Sequence, residues 1–323
     1  MPRSAASSAS AENDDPVGRL RSKVGRETIY VSNALVGKLA GSEQDHVVED
    51  ISQLEHVRRK HVGRYLSAVA VVALATWIVL SFVHGQIDWT IVSRYLTART
   101  ILFGLGNTVL MAALAMLLGV LIGVTVAIMR LSANPVVNWA AASYVWFFRG
   151  TPLLLQLLLW FNLALVFPKL GIPGLFELRT VDVMTPFIAA LLGLGINQGA
   201  YTSEVVRAGL LSVDQGQYEA ASAIGMPRLQ ALRRIILPQA MRVIVPPIGN
   251  ELIGMVKLTS LASVIQFSEI VHNAENIYYV NSYVVELLIV AAFWYLIVVT
   301  VLTFLQTRLE RHYARGVRDA KPR

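Results

Sequence analysis

The residues best placed to do chemistry in this chain are polar side chains standing among apolar ones. Asn197, Tyr201 and Glu204 follow one another at intervals of four and three, which puts them on one face of a helix. Gln198, Asn250, Glu251 and Lys257 lie in the same or the next apolar stretch. A polar or charged group taken out of water is costly unless it finds a partner. Two readings follow from the spacing. The face is a polar wall for a solute, or it ties helices together, with Glu204 neutralised by Arg207 one turn on.

Covalent chemistry finds no footing. There is no cysteine. The one Gly-Lys pair, Gly37-Lys38, lacks the preceding glycine and the following Ser or Thr of a phosphate-binding loop. The histidines stand at 46, 56, 61, 84, 272 and 312, with no His-x-x-x-His pair, so no metal site is expected. No Ser/His/Asp order points to a hydrolase. The expectation is no catalytic residue and no cofactor held by this chain.

The elements that carry the polar face are membrane-length. The 323 residues are 55% hydrophobic and 15% charged, with a mean hydropathy of +0.55. Several apolar runs reach the roughly 20 residues needed to cross a bilayer, and no alternating ten-residue strands of a barrel are seen. The sequence is therefore read as an all-α polytopic membrane protein. About six spans are expected, over 65–83, 101–130, 141–167, 186–211, 240–265 and 283–308. The fifth carries Pro246, Pro247, Gly249 and Gly254 and is expected to be kinked or broken. In the third, "RGTP" (Arg149, Gly150, Thr151, Pro152) is a break signal, with Thr151 as a cap and Pro152 opening a helix. Gly119/Gly123 and Gly195/Gly199 permit close helix packing.

Residues 1–57 are polar, without the apolar core of a signal peptide. The first sixteen are Ser/Ala/Asp-rich and expected to be disordered; 47–60 suggests a helix on the membrane surface. Lys and Arg split by side as 17 against 4 over the expected loops and helix ends, which puts both termini on the cytoplasmic side. The net charge of +7 is read as this bias, not as nucleic-acid binding.

The stretch "EAASAIGMPRLQALRRIILPQA" (219–240) is then a cytoplasmic insert of unusual composition. "QYEAASAI" favours helix, Gly225 stops it, and Pro227 opens a second short helix ending near Leu237-Pro238. Small side chains at Ala220, Ala221 and Ala223 suit a helix that sits in a cleft of another protein; on composition alone an interfacial helix with no partner fits equally.

These residues resemble the loop signature of permease subunits of ABC importers: Glu219-Ala220-Ala221, three residues, Gly225, nine residues, Ile235, one residue, Leu237-Pro238. "FFRGTPLLLQL" (147–157), "NQGAYTSEVVRAGLLSVDQGQYEAA" (197–221) and "KLTSLASVI" (257–265) look like the polar amino acid branch, which takes up histidine, glutamine, glutamate, arginine, cystine and opines. Leu258 departs from the polar residue expected after the lysine. The resemblance covers roughly 97–315. It implies a type I importer permease fold with helix 65–83 added at the N-terminus, and a coupling loop over 212–239. The organisation expected is an extension (1–57), an added helix and outer loop (58–96), the core (97–315) and a basic tail (316–323).

The resemblance further implies a subunit of the bacterial inner membrane that moves a polar amino acid inward and catalyses no covalent change. ATP and Mg would be bound by two separate ATPase subunits. A second permease copy or paralogue, an extracytoplasmic amino-acid-binding protein and membrane lipid would complete the set. Asn197, Tyr201, Glu204 and Lys257 are the expected pathway residues, with Gly193 leaving room for a ligand. A secondary transporter or channel would leave the 219–238 loop without a use, and a membrane scaffold would not need buried polar residues.

Overall fold

The computed structural model describes residues 62–172 and 176–313. The extension 1–57, the surface helix expected over 47–60 and the tail 316–323 lie outside them. Contacts divide the chain into two units, residues 1–73 and 74–323. The described part of the first is the opening of α1 (Val62–His84).

The second unit continues with α2 (Trp89–Leu96), α3 (Arg99–Arg130), α4 (Pro135–Gly150), α5 (Leu153–Phe161) and the single turn α6 (Leu163–Val166). An antiparallel ribbon follows, β1 (Lys169–Ile172) against β2 (Phe176–Arg179). Then come α7 (Thr180–Val183), α8 (Pro186–Leu211), α9 (Gln215–Ala223) and α10 (Arg228–Ala231). A π-helical turn (Leu232–Ile236) leads into α11 (Leu237–Leu258), a 3-10 segment (Thr259–Ile265), α12 (Ile270–Asn281) and α13 (Val284–Tyr313).

Local sequence accounts for the helix starts. Asp88 caps α2 by accepting from Thr90 N and Ile91 N. Asn134 caps α4 and Thr185 caps α8, each followed by a proline in the first turn, where its missing N–H has no helical partner to lose.

Among the described residues four runs are long and apolar enough to cross a bilayer: Gly63–His84, Arg99–Arg130, Arg228–Ile265 and Val284–Tyr313. The α4–α5 pair, bent by 102°, makes a fifth if taken as one span. The fourth expected span, 186–211, is the 26-residue α8, which is not among them. It packs against α3, α4, α5 and α11, so protein rather than lipid covers much of its polar surface.

The α3–α8 contact explains the glycine pairs. Gly119 and Gly123 face Gln198 and Thr202, while Gly195 and Gly199 face Leu118 and Ile122. A Cβ at any of the four would come within 2.6–2.7 Å of its neighbour, so only hydrogen lets the backbones approach this closely.

Two expectations are corrected. The fifth span is not broken at its prolines: α11 runs on through Pro246 and Pro247. Gly249 there leaves space for the Gln306 side chain of α13, whose Nε2 donates to Pro246 O at 3.0 Å. The irregular backbone lies at the two ends of α11 instead. The helix opened after Pro227 also does not end at Leu237-Pro238. The chain stays helical through the π turn into α11, with Pro238 in the first turn of α11.

Away from the polar face, α12 is strapped to its neighbours. Asn107 Nδ2 donates to Ser268 O at 2.7 Å and Asn273 Nδ2 to Thr100 O at 2.8 Å. Glu269, wholly buried, caps α12 through Val271 N and His272 N and accepts from Tyr295 Oη.

Candidate functional site

The bend between α4 and α5 builds the first candidate site. At the end of α4, Thr151 turns to extended backbone and its hydroxyl donates back to Phe147 O at 2.9 Å. Pro152, not Thr151, is the residue that precedes the first turn of α5, which corrects the expected cap. The carbonyls freed by the bend are taken up by two amides. Gln156 Nε2 donates to Phe148 O at 3.0 Å and Thr151 O at 3.1 Å. Asn197 Nδ2 donates to Phe148 O at 2.8 Å and to Gln156 Oε1 at 3.2 Å. Unpaired backbone at membrane depth survives only where protein or water satisfies it, and here side chains do so.

A cavity of about 530 Å³ opens beside this bend. Its wall is the whole Arg149–Leu153 turn, then Asn197, Gln198 and Tyr201 of α8, and Glu251, Gly254 and Leu258 of α11. Arg149 Cζ lies 5.2 Å from the Tyr201 ring centroid. Glu251 Oε2 accepts from Gln198 Nε2 at 2.7 Å and from Thr202 Oγ1 at 3.0 Å, so one carboxylate oxygen is held and the other has no partner in these bonds. The wall thus offers a guanidinium, a carboxylate and neutral amide and phenol groups in one space. It can compensate both ends of a zwitterion.

Of the four residues expected on a pathway, Asn197 and Tyr201 line the cavity. Glu204, one turn further on, bonds to Arg207 Nη2 at 2.7 Å and lies 3.9 Å from Arg130 Nε. Lys257 is exposed and is not part of the wall, though its neighbour Leu258 is. Gly193 does not open ligand space: a Cβ there would meet Leu157 Cδ2 at 2.7 Å, so the glycine lets α5 pack on α8. Arg149 and Glu251 carry the charges of the wall; the sequence set Glu251 among the polar candidates and Arg149 only in the break signal. Gln156 was not singled out, although one amide inside "LLLQLLL" is the kind of signal that marks a tie.

The second site is the α9–α10 hairpin. Gly225 has φ 71°, a conformation that costs other residues and suits glycine. Gly225 N bonds to Ser222 O and Met226 N to Ala221 O, both at 3.0 Å, closing α9. The seven motif residues divide by direction. Ala221 is buried and Ile235 packs against the cluster of Ala127, Val206, Ile236 and Ala240, holding the hairpin on the bundle. Glu219, Ala220, Gly225, Leu237 and Pro238 are exposed. Ile224 and Leu229, outside the motif, are 72% and 68% exposed. The turn therefore presents bare apolar side chains beside small ones.

Residues 115–315 match the family described as binding-protein-dependent transport system inner membrane component. The chain is 39% identical over 260 residues to the arginine transport system permease protein ArgU of Corynebacterium glutamicum, covering 80% of this chain and 82% of that protein. It is 38% identical over 215 residues to the L-cystine transport system permease protein TcyB of Bacillus subtilis, covering 66% and 86%. The nopaline transport system permease protein NocM of Agrobacterium fabrum is 39% identical over 63% of this chain and 81% of its own length. Among solved structures, a crystal structure of an amino acid ABC transporter with histidines aligns with TM-score 0.61 and 35% identity, over 71% of this chain and 100% of that one. The MetNI methionine ABC transporter in an inward facing conformation shares the fold, with TM-score 0.54 and 20% identity over 67% of this chain and 97% of that one. The chain therefore belongs to the family of binding-protein-dependent transport system inner membrane components, as a multi-pass inner-membrane permease subunit of an ABC importer that works with a separate ATPase and a substrate-binding protein.

Proposed function

We propose that this permease carries a polar amino acid and holds it in the Arg149–Asn197–Tyr201–Glu251 cavity. The observation that carries the reading is the placement of one cationic and one anionic side chain on the wall of one cavity at a broken span. An amino acid entering a low-dielectric space must have both its charges compensated. Arg149 supplies the partner for the carboxylate and Glu251 the partner for the ammonium, with Asn197 and Tyr201 as neutral groups. Relatives named for arginine, cystine and nopaline systems support an amino acid or close analogue as cargo. Glu204 and Lys257 stand at the edges of this route. We assign Glu204 the balancing of Arg207 and Arg130, and Lys257 an approach role beside Leu258.

The cavity is open on one chain, so the proposal pairs two permease copies, or this chain and a paralogue, to enclose it. The α9–α10 hairpin docks on the ATPase through Ile224, Leu229 and the small residues beside them, one hairpin to each of two ATPase subunits. ATP and Mg sit on those subunits. Both termini lie in the cytoplasm, and the binding protein meets the Lys- and Arg-poor side.

The test is uptake by proteoliposomes holding the permease, its co-encoded ATPase and its binding protein, with each amino acid offered in turn. Uptake of a polar amino acid that falls with Arg149→Gln and with Glu251→Gln, while the complex still assembles, is the expected result. Full uptake in both variants overturns the assignment of the cavity.

A further inference from the structure

The ribbon after α6 is amphipathic in a way that its pairing makes explicit. The register places Lys169 opposite Arg179, Leu170 opposite Leu178, Gly171 opposite Glu177 and Ile172 opposite Phe176. Successive residues of a strand alternate between faces. One face is therefore Leu170, Leu178, Ile172 and Phe176. The other is Lys169, Arg179, Glu177 and Gly171. A short diagonal ion pair joins Lys169 Nζ to Glu177 Oε2 at 2.5 Å on the polar face, and Arg179 lies 3.7 Å from Asp182 just beyond it. Among the described residues three of the four side chains on the apolar face are uncovered: Phe176 and Leu178 are 54% exposed and Ile172 57%, while Leu170 is partly buried. A two-stranded ribbon is at best marginal in water on its own, so an exposed apolar face on one calls for an occupant.

The position of the ribbon selects that occupant. Both of its feet join the bundle at the ends of bilayer-length elements. α6, at the end of the bent α4–α5 span, stops three residues before β1, and α8 begins soon after β2. α8 then runs 26 residues to the α9 side, roughly 39 Å at 1.5 Å per residue. The ribbon thus lies at the end of the bundle opposite the α9–α10 hairpin, at the level where the bilayer ends. The exposed apolar trail does not start at the ribbon. Leu165, Val166 and Phe167 before it and Val181 after it are also exposed, so apolar side chains flank the ribbon in the chain on both sides.

We propose that the β1–β2 ribbon lies flat in the headgroup region of the leaflet opposite the α9–α10 hairpin. Leu170, Ile172, Phe176 and Leu178 dip toward the acyl chains, and the Lys169–Glu177 face looks to water. Deeper insertion is excluded because a two-stranded ribbon has unpaired backbone edges that hydrocarbon cannot satisfy. Lys169 and Arg179 at the feet suit the level of lipid phosphates, where long basic side chains keep their stems in apolar surroundings and their charge in the polar layer. The ribbon acts as a float that fixes the height and tilt of α8, whose other end carries the coupling hairpin.

The test uses the full chain, which has no native cysteine. Leu178→Cys and Phe176→Cys report the apolar face, Arg179→Cys the polar face. Each is spin-labelled and reconstituted into phosphatidylethanolamine–phosphatidylglycerol vesicles. Accessibility to oxygen, which concentrates in the bilayer, is compared with accessibility to a water-soluble nickel chelate. The expected result is an oxygen-to-nickel ratio several-fold higher at positions 176 and 178 than at 179. Equal ratios at all three, the pattern of a ribbon in water, overturn the proposal. So does protection of 176 and 178 from both reagents, the pattern of a face covered by a second copy or another protein. Ile172→Cys reads the same face if Leu178→Cys accumulates poorly, and retained uptake by the labelled chains establishes that they are folded.

Discussion

The guanidinium of Arg149 lies over the ring of Tyr201, 5.2 Å from its centroid. The contact joins the end of α4 to α8 on the wall of one cavity. It orients the arginine without using its N–H donors, which stay available for a carboxylate. A hydrogen bond to a charged group contributes about 1.5–3 kcal/mol, or roughly ten- to a hundredfold in binding. Arg149→Gln is therefore expected to slow uptake at least about tenfold at saturating loaded binding protein, with assembly unchanged. Arg149→Lys keeps the charge but loses the planar fork, so it should fall between the two. Equal uptake by Lys and Gln variants would mean that charge at this position does not matter.

The bend at Thr151 depends on Gln156 more than on Asn197. Gln156 reaches two backbone carbonyls, Asn197 one, and that one is shared. Leaving a buried carbonyl unpaired costs about 1–3 kcal/mol. Gln156→Leu should lower the thermal unfolding midpoint in detergent more than Asn197→Leu does. Asn197→Leu should instead reduce transport more than stability, because Asn197 also lines the cavity. The reverse order of midpoints contradicts this division.

At Gly225 the backbone requirement and the docking requirement can be separated. With φ 71° any side chain is strained, by about 1–3 kcal/mol for most residues, while asparagine tolerates this region better. Apart from its own chain neighbours, no described residue places an atom within 4 Å of a Cβ built there, so there is room for a side chain. Gly225→Asn should fold and still lose ATPase binding if the partner packs against the turn. Ile224→Asp should weaken pull-down of the ATPase without lowering the unfolding midpoint. Normal pull-down by both variants removes the hairpin as the docking surface.

Orientation is open to a direct chemical test. Single cysteines in place of Gln215 and Gly316 should stay unlabelled by an impermeant thiol reagent in intact cells and become labelled once the membrane is opened. A cysteine in place of Lys169 should be labelled in both. Labelling of 215 or 316 from outside reverses the topology.

How much was legible depended on whether a signal was local. The hairpin 219–238 could be read because its spacing is carried by one continuous stretch, and Gly225 sits where a helix must end. The Gly119/Gly123 and Gly195/Gly199 pairs gave close packing, but not which helix meets which, since that is a long-range fact. The role of Gly193 was misread for the same reason: a missing side chain looks alike whether it faces a ligand or Leu157. Pro246-Pro247 suggested a kink or a break, whereas α11 runs on as a helix through both. The length of α8 was visible, since a span was expected over 186–211, yet its place against α3, α4, α5 and α11 was not. The ribbon escaped because its four-residue strands are far shorter than the ten-residue alternation sought as the mark of a barrel.

Glu204 supplies the last test, because one side chain faces two arginines. Arg207 Nη2 bonds to Glu204 Oε2 at 2.7 Å, and Arg130 Nε lies 3.9 Å from Oε1. Arg130 is also held by Asn138, whose Oδ1 accepts from Nη1 and whose Nδ2 donates to Arg130 O. The three charged side chains are each about a quarter exposed. Their pairing thus falls between exposed pairs, below about 1 kcal/mol, and buried ones, about 3–5 kcal/mol when one partner is removed. Glu204→Gln is expected to lower stability by about 1–2 kcal/mol, read as a lower unfolding midpoint and yield. Adding Arg207→Gln should recover most of that loss, because Arg207 makes the shorter bond. Adding Arg130→Gln should recover less, since Arg130 keeps Asn138. Uptake should follow stability through the series. A Glu204→Gln protein with an unchanged midpoint but no uptake, unrescued by Arg207→Gln, would instead place Glu204 on the ligand.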